Sequence, residues 1–286
     1  MKAILTHPGS AHKDDLLACC LLVARYQVQV WRREPESSDL DDPEIIVVDV
    51  GGEHEPTRSN FDHHQFPRDH EPVCALSLVL QDMGLYEDAK SFCEWLEPAE
   101  WFDTRGPFQT ADWLGVDRAI MNRLNSPIDI TLLRRFAQKS EWKPGDPIWE
   151  MMRMIGEDLI MYLRTLRERI DYVAKHAELH EVEATAAEVR VLRVLFMPRT
   201  ESMPDDPSSG LARYVSVSGE KVDGLIYPDR RGSGYGLSRH EDSPHLDFTQ
   251  ISDEEDVHFA HARGFVAKTS STELKRLLEL VAQARV

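Results

Sequence analysis

The chain has 286 residues, of which 42% are apolar and 29% charged. That is enough apolar material for a sizeable core and enough length for two domains, and no apolar run is long enough to span a bilayer. The net charge of −17 and the pI near 5.1 argue against capture of nucleic acid by a global positive field; a phosphate-bearing substrate would have to meet its cations locally, as clustered Arg and Lys or as bound metal.

In chain order, KAIL (2–5) reads as a short strand ending at Thr6-His7-Pro8-Gly9. The opening residues MKAILTHPGS have neither the apolar core of a signal peptide nor the arginines of a transit segment. Four cysteines without regular spacing suggest no disulfide framework. We therefore expect a reducing, cytoplasmic setting. Residues 12–26 have helical apolar periodicity with acidic residues in the first turn, where the helix dipole favours them. VQVWR (28–32) and EIIVVDVGG (44–52) read as strands, the second apolar enough to be buried on both faces. Helical stretches follow at 74–84 and 91–106.

This alternation predicts an α/β layer with a mostly parallel sheet over residues 1–130. A helical connector is expected over 131–182, with residues 146–180 as one long helix or two abutting ones. The remainder, 183–286, is expected to form a smaller α+β domain. Its strands are placed at 188–197, 213–218 and 222–228, its Pro/Ser/Asp-rich loop at 198–210, and an amphipathic helix at 271–284.

Ligand-type side chains fall at these strand ends and helix starts. His7, His12 and Asp14 follow the first strand, Asp49 ends the central apolar run, Asp62, His63 and His64 stand in FDHHQ, and Asp103 in AEWFDTRG. In open α/β sheets, sites form outside the carboxyl ends of the strands. Mixed imidazole and carboxylate donors suit manganese, iron or zinc, and two such ions sharing a carboxylate can clamp a phosphorus centre. Each piece also has an ordinary reading. His7 fits a Pro-Gly turn, and Asp14 fits the amino end of a helix. Asp49 is the hardest to dismiss, because an aspartate after IIVV is costly to bury without a partner. The set, in order and with matching chemistry, favours metal.

Those segments resemble the DHH phosphoesterase superfamily, and most closely the branch named for melanocyte-proliferating-gene protein. THPGSAHKDDLLA, VVDVGG, FDHHQ and AEWFDTRG stand for four motifs, and FAHARGFVAKT (259–269) for a closing one. A His in place of the first Asp of the superfamily's opening motif points to this branch, whereas EWFDTRGP departs from its usual Asp-Asn-Gly. The resemblance implies an N-terminal DHH-type catalytic domain, a linker and a smaller substrate-gripping domain. It also implies a manganese-dependent 3′-to-5′ exonuclease acting on RNA or short oligonucleotides through a two-metal-activated hydroxide, with magnesium or another divalent ion as a possible substitute. By position, His7, His12 and Asp49 would hold one ion and Asp14, Asp49, His63 and Asp103 the other. Asp62 would orient His63, and His64 would face the phosphate or its leaving group.

Substrate selection would fall to donors in the carboxyl-terminal part: His261, Arg239, Arg263, Gly264 and Lys268, with Arg230 and Arg231 as weaker candidates and Tyr235 and Phe265 as stacking platforms. HAELH (176–180) spaces two histidines one helical turn apart, but Glu178 occupies neither position that a helical zinc-protease motif requires, so it reads as a solvated helix face. Two other functions stay open: a hydrolase of small phosphoesters, such as a pyrophosphatase or nucleotide phosphatase, and a metal-binding regulatory protein without activity.

Overall fold

Strand β1 (Ala3–Thr6) is buried along its whole length and lies between two parallel neighbours, β2 (Gln29–Arg32) and β3 (Ile45–Val48). Four consecutive buried residues in β1, and again in β3, are what strands covered on both faces require. Helix α1 (Lys13–Tyr26) connects β1 to β2, and the short α2 (Ser37–Asp41) precedes β3. Two-residue strands complete the sheet: β4 (His54–Glu55) and β5 (Asn60–Phe61) on one side, β6 (Glu141–Trp142) on the other. The order is β4-β5-β3-β1-β2-β6, with β5 parallel and the two edge strands antiparallel. The sheet is therefore mixed, with a parallel centre.

The computed structural model describes residues 1–123, 126–182, 191–201 and 210–286. It divides into two compact units, Met1–Arg164 and Thr165–Val286. In the first unit the sheet is followed by α3 (Ala75–Asp82), α4 (Tyr86–Phe92), α5 (Leu96–Leu114), α6 (Arg118–Arg123) and α7 (Pro127–Phe136). Helix α5 runs past the Gly106-Pro107 pair that reads as a stop. Gly106 breaks the helical geometry with φ near 75°, and Pro107 restarts it at a position where no amide hydrogen is needed. The 30-residue α8 (Pro147–His176) contains the division, so residues 131–182 are shared between the units.

The second unit has its own mixed sheet, built from β7 (Glu178–Val182), β8 (Leu192–Phe196), β9 (Gly224–Pro228), β10 (Tyr235–Arg239), β11 (Val257–Ala260) and β12 (Val266–Thr269) in the order β11-β12-β10-β9-β8-β7. Among the described residues of this sheet, only β8 and β9 pair in parallel. Phe248 and the buried stripe Leu277, Leu280 and Val281 of the last helix share a core with Ile226, Leu237 and Ala267 of this sheet.

Two sequence expectations are corrected here. Residues 213–218 form not a strand but helix α9 (Leu211–Ser218), followed at the chain's end by α10 (Leu274–Gln283). The alternation of Val215 and Val217 suggested period two, yet Val217 is 42% exposed; the buried pair is Leu211 and Val215, four apart as a helix requires. His176 and His180 do not share a helix face either, because α8 ends at His176 and His180 lies in β7. Residues 188–190 of the predicted strand and 202–209 of the predicted loop lie outside the described residues. Among the described residues no helix is long and apolar enough to cross a membrane.

Helix α8 meets α1 at Gly156, where an added Cβ would stand 2.0 Å from the Cys20 carbonyl oxygen and 2.8 Å from Ala24 Cβ. Alanine outranks glycine by about 1 kcal/mol in helix propensity, but overpacking costs about 1–3 kcal/mol and more when backbone must move. Gly156→Ala is expected to lower the urea unfolding midpoint. A raised midpoint would mean that the two helices separate without cost.

Candidate metal centre

The parallel centre of the first sheet puts three strand ends in register. Thr6 pairs with Val48, and Val48 with Phe61. The next residue in each strand is His7, Asp49 and Asp62, so the chain delivers ligand-type groups side by side at the carboxyl edge. Asp49 has a left-handed backbone, φ near 58°, which an aspartate adopts at modest cost and which turns the chain sharply after β3. The following Gly52 amide donates to Asp62 Oδ2 at 2.6 Å and ties that turn to the FDHHQ segment.

The side chains of the four predicted clusters converge. His7 Nε2 lies 3.5 Å from Asp49 Oδ2. The other Asp49 oxygen, Oδ1, is 3.0 Å from His63 Nε2, which is itself 3.1 Å from Asp103 Oδ2. His12 Nδ1 approaches Asp103 Oδ1 at 3.8 Å. Among the described residues three groups have donor atoms within 4.8 Å of one another: His7, His12 and Asp49; His12, Asp14 and Asp103; and Asp49, Asp62, His63 and His64. Asp49 belongs to two of them and offers a different oxygen to each side.

Asp14, in the first turn of α1, provides the sharpest test of fit. It is 2% exposed, and as a carboxylate neither oxygen has a hydrogen-bond partner; only with a proton on it can Asp14 bond to Asp103. Burial first, and then the charges of Asp49 and Asp103, push its carboxyl well up. A helix dipole is satisfied by a solvated aspartate at the same position, so it does not account for a buried, unpartnered one. A divalent ion would supply the missing charge, and the oxygen and imidazole donors fit a hard or borderline one.

The histidines are braced individually. Asp62 Oδ1 accepts from the His63 and His64 amides and lies 2.6 Å from His64 Nδ1. The ring that Asp62 holds is thus His64's, not His63's as the resemblance implied; His63 is held by its amide. Burial works against the Asp62 charge, but the hydrogen bonds from His64, Gly52 and the His64 amide outweigh it and bring the carboxyl down to about 2. An ion pair with Asp15 lifts His7 to about 9 against the cost of burial. Burial disfavours charge on His63 too, but Asp103 and Asp49 overcome it and lift this ring to about 10.

Sequence reasoning missed two braces. Asp15 Oδ1 accepts from the His12 and Leu16 amides, while its Oδ2 lies 3.2 Å from His7 Nε2. Arg32, at the end of β2 and 3% exposed, donates to the carbonyls of Gly9, Ser10 and Phe136 and stands 3.7 Å from Asp15. It pins the loop that carries His7 and His12.

The predicted substrate residues lie in the second unit and separate into two places. His261, Arg263 and Gly264 form the β11–β12 turn, where the Gly264 amide donates to the His261 carbonyl and Arg263's amide to His261 Nδ1. Gly264 is required there: its φ is near 68°, and a Cβ would stand 1.9 Å from Asp247 Oδ1. Arg239 is bonded to this turn by its amide, while its guanidinium pairs with Asp242 at 2.9 Å. Lys268 instead pairs with Asp229 at 2.7 Å and lines a separate cavity of about 490 Å3. Tyr235 is no stacking platform, being 5% exposed with its hydroxyl accepting from the Arg199 amide; Phe265 packs on the His261 ring.

Comparison with known proteins places one part of this chain. A family model named MYG1_exonuc and described as an uncharacterised protein family (UPF0160) matches residues 3–73. Proteins called MYG1 exonuclease from Rattus norvegicus and Homo sapiens are 48% and 47% identical over 64 residues, 21% of this chain. The matched stretch spans only 16% of the length of either relative. The family match contains every ligand-type residue named above except Asp103. The solved structure of a pGpG-specific phosphodiesterase, PggH, from Vibrio cholerae aligns over 99% of this chain and 98% of its own, at 13% identity and a TM-score of 0.34. A likeness of that strength does not establish a shared fold.

With His7 and His63 raised to about 9 and about 10, both carry protons at neutral pH in the metal-free protein. A ligating imidazole must be neutral, so manganese binding is expected to release protons and tighten as pH rises from 6 to 9. Calorimetric titration in buffers of different ionisation enthalpy reads this directly. An affinity independent of pH, with no buffer-dependent heat, would contradict the assignment.

Proposed function

We propose that this chain is a divalent-metal-dependent phosphoesterase that removes nucleotides from the 3′ end of RNA or short oligonucleotides. The observation that carries the reading is the register row His7, Asp49 and Asp62 beside Asp14, whose buried oxygens lack partners in the carboxylate form. Similarity to MYG1 exonucleases over the stretch that holds most of these residues supports it. In this reading residues 1–130 are the DHH-type catalytic part, 131–182 the connector and 183–286 the substrate-binding part.

His7, His12 and Asp49 would hold one ion, and Asp14, Asp49, His63 and Asp103 the other, with Asp49 common to both. Manganese fits this donor set, and magnesium is the alternative. Two bound divalent ions would lower the pKa of water and neutralise charge at phosphorus. Asp15 sets the His7 ring and Arg32 the loop that carries it. His64 is the group of this cluster most open to solvent, its side chain 63% exposed, and Asp62 holds its Nδ1. Its pKa is raised, first by the hydrogen bond to Asp62, so His64 is suited to give a proton to the leaving oxygen or to bind a phosphate oxygen through Nε2. Substrate contact would come from His261, Arg263, Gly264, Arg239 and Lys268.

One observation favours the second reading, a hydrolase of small phosphoesters. Arg239 and Lys268 are each paired with a carboxylate, which reduces the positive charge these two offer to a long polyanion.

Asp49→Ala is expected to abolish manganese-stimulated hydrolysis, and His64→Ala to lower kcat by about 100-fold or more, the usual contribution of a positioned acid. The assay compares a 5′-labelled oligoribonucleotide, a dinucleotide and pyrophosphate. Stepwise shortening of the oligomer is expected. Activity on pyrophosphate alone would replace the exonuclease reading with the second one, and full activity in Asp49→Ala would remove the metal assignment.

A further inference from the structure

The cavity that Lys268 lines holds two of the sequence-derived substrate candidates, Lys268 and Arg231, while its loop wall and its aromatic side lie outside that set. Its wall is the loop Asp229–Gly234, which links β9 to β10, and its other side is formed by His258, Phe259 and Lys268 of β11 and β12. Three features of this wall bear on what it holds.

The loop is held in one shape by a single cation. Arg199 Nη2 donates to the carbonyl oxygens of Asp229, Gly232 and Gly234, at 3.3, 3.0 and 3.1 Å. The Asp229 amide also donates to the Gly234 carbonyl at 2.9 Å, closing the loop at its base. Loop acceptors are thereby gathered on Arg199. A glycine-rich loop whose carbonyls are already occupied repels an anion less than a free one, and its small residues permit close approach.

The charge in the cavity is positive, in a chain that carries −17 overall. Asp229 is the single carboxylate on the lining, and it is 7% exposed and already paired with Lys268. Arg231 lies on the rim, exposed to solvent. Lys268 keeps two further ammonium hydrogens after its pair with Asp229, and His258 lines the same space. One guanidinium and one ammonium on a concave surface suit a phosphate group.

Beside these cations stands a part-exposed aromatic ring, with the His261 ring edge-on to it at 6.4 Å. Phe259 is 44% exposed and lines the cavity, directly across the β11–β12 pair from Lys268. A base stacks on such a ring without regard to its identity.

We propose that this cavity is a nucleotide-binding subsite, in which Arg231 and Lys268 grip a phosphate while Phe259 stacks the base. It takes a nucleoside monophosphate unit, free or at the end of a chain. Arg199 acts as a positioning residue, holding the loop rather than touching the ligand. The subsite shares Lys268 with the proposed substrate contacts but uses none of the His261 turn, and it stands whether or not the metal centre hydrolyses phosphoesters.

The test is calorimetric titration of the full chain in EDTA with AMP, inorganic phosphate and adenosine as separate probes. AMP is expected to bind more tightly than either fragment. Arg231→Ala is expected to weaken AMP and phosphate by about tenfold, and Phe259→Ala to weaken AMP and adenosine while leaving phosphate unchanged. Both side chains are exposed, so unaltered thermal unfolding midpoints should accompany these losses. Absence of AMP binding to the wild type up to millimolar concentration would overturn the proposal. So would an AMP affinity that is the same in wild type, Arg231→Ala and Phe259→Ala.

Discussion

The structure of the first unit depends on aspartates held close together at the edge of a sheet. Asp14, Asp15, Asp49, Asp62 and Asp103 gather where little water reaches, and like charges so placed repel strongly. The protein offsets part of this with its own cations: His63 between Asp49 and Asp103, His7 between Asp15 and Asp49, Arg32 beside Asp15. As a carboxylate, Asp14 is left without hydrogen-bond partners. A cation would relieve the cost of burying such a carboxyl among others, and the histidine protons are what a metal would displace.

Backbone features follow from the same constraint. Register between β1, β3 and β5 aligns three strand ends, and the left-handed Asp49 turns the chain within a single residue. The Gly52 amide and Asp62 then link two of the aligned segments, while Arg32 and Asp15 secure the third. The centre is thus preorganised by hydrogen bonds to backbone groups, which hold their positions better than side chains do.

The clustering of these side chains was largely legible in the sequence, because buried strands announce themselves as unbroken apolar runs and ligand-type residues at strand ends follow directly. KAIL and IIVV located His7 and Asp49 on pattern alone, whereas β5 is two residues long and Asp62 was found through its neighbours in FDHHQ. Asp15 and Arg32 were not legible, since their roles exist only through partners brought together by folding. In the second unit the Val215–Val217 alternation misled because two periods fit so short a segment. Phe259 was overlooked for another reason: an exposed phenylalanine becomes informative only when the cavity beside it is known. Asp103 was read from the residues of AEWFDTRG, although that segment departs from the family's motif, and contacts with His63 and His12 bring it to the cluster.

The central claim is that Asp49 joins two metal positions built from these clusters. Manganese-soaked crystals, measured at the manganese absorption edge, test it most directly. The account predicts two anomalous peaks in the first unit, one bounded by His7, His12 and Asp49 and the other by Asp14, Asp49, His63 and Asp103. A single peak, or peaks that leave Asp49 or Asp14 uncoordinated, would contradict it.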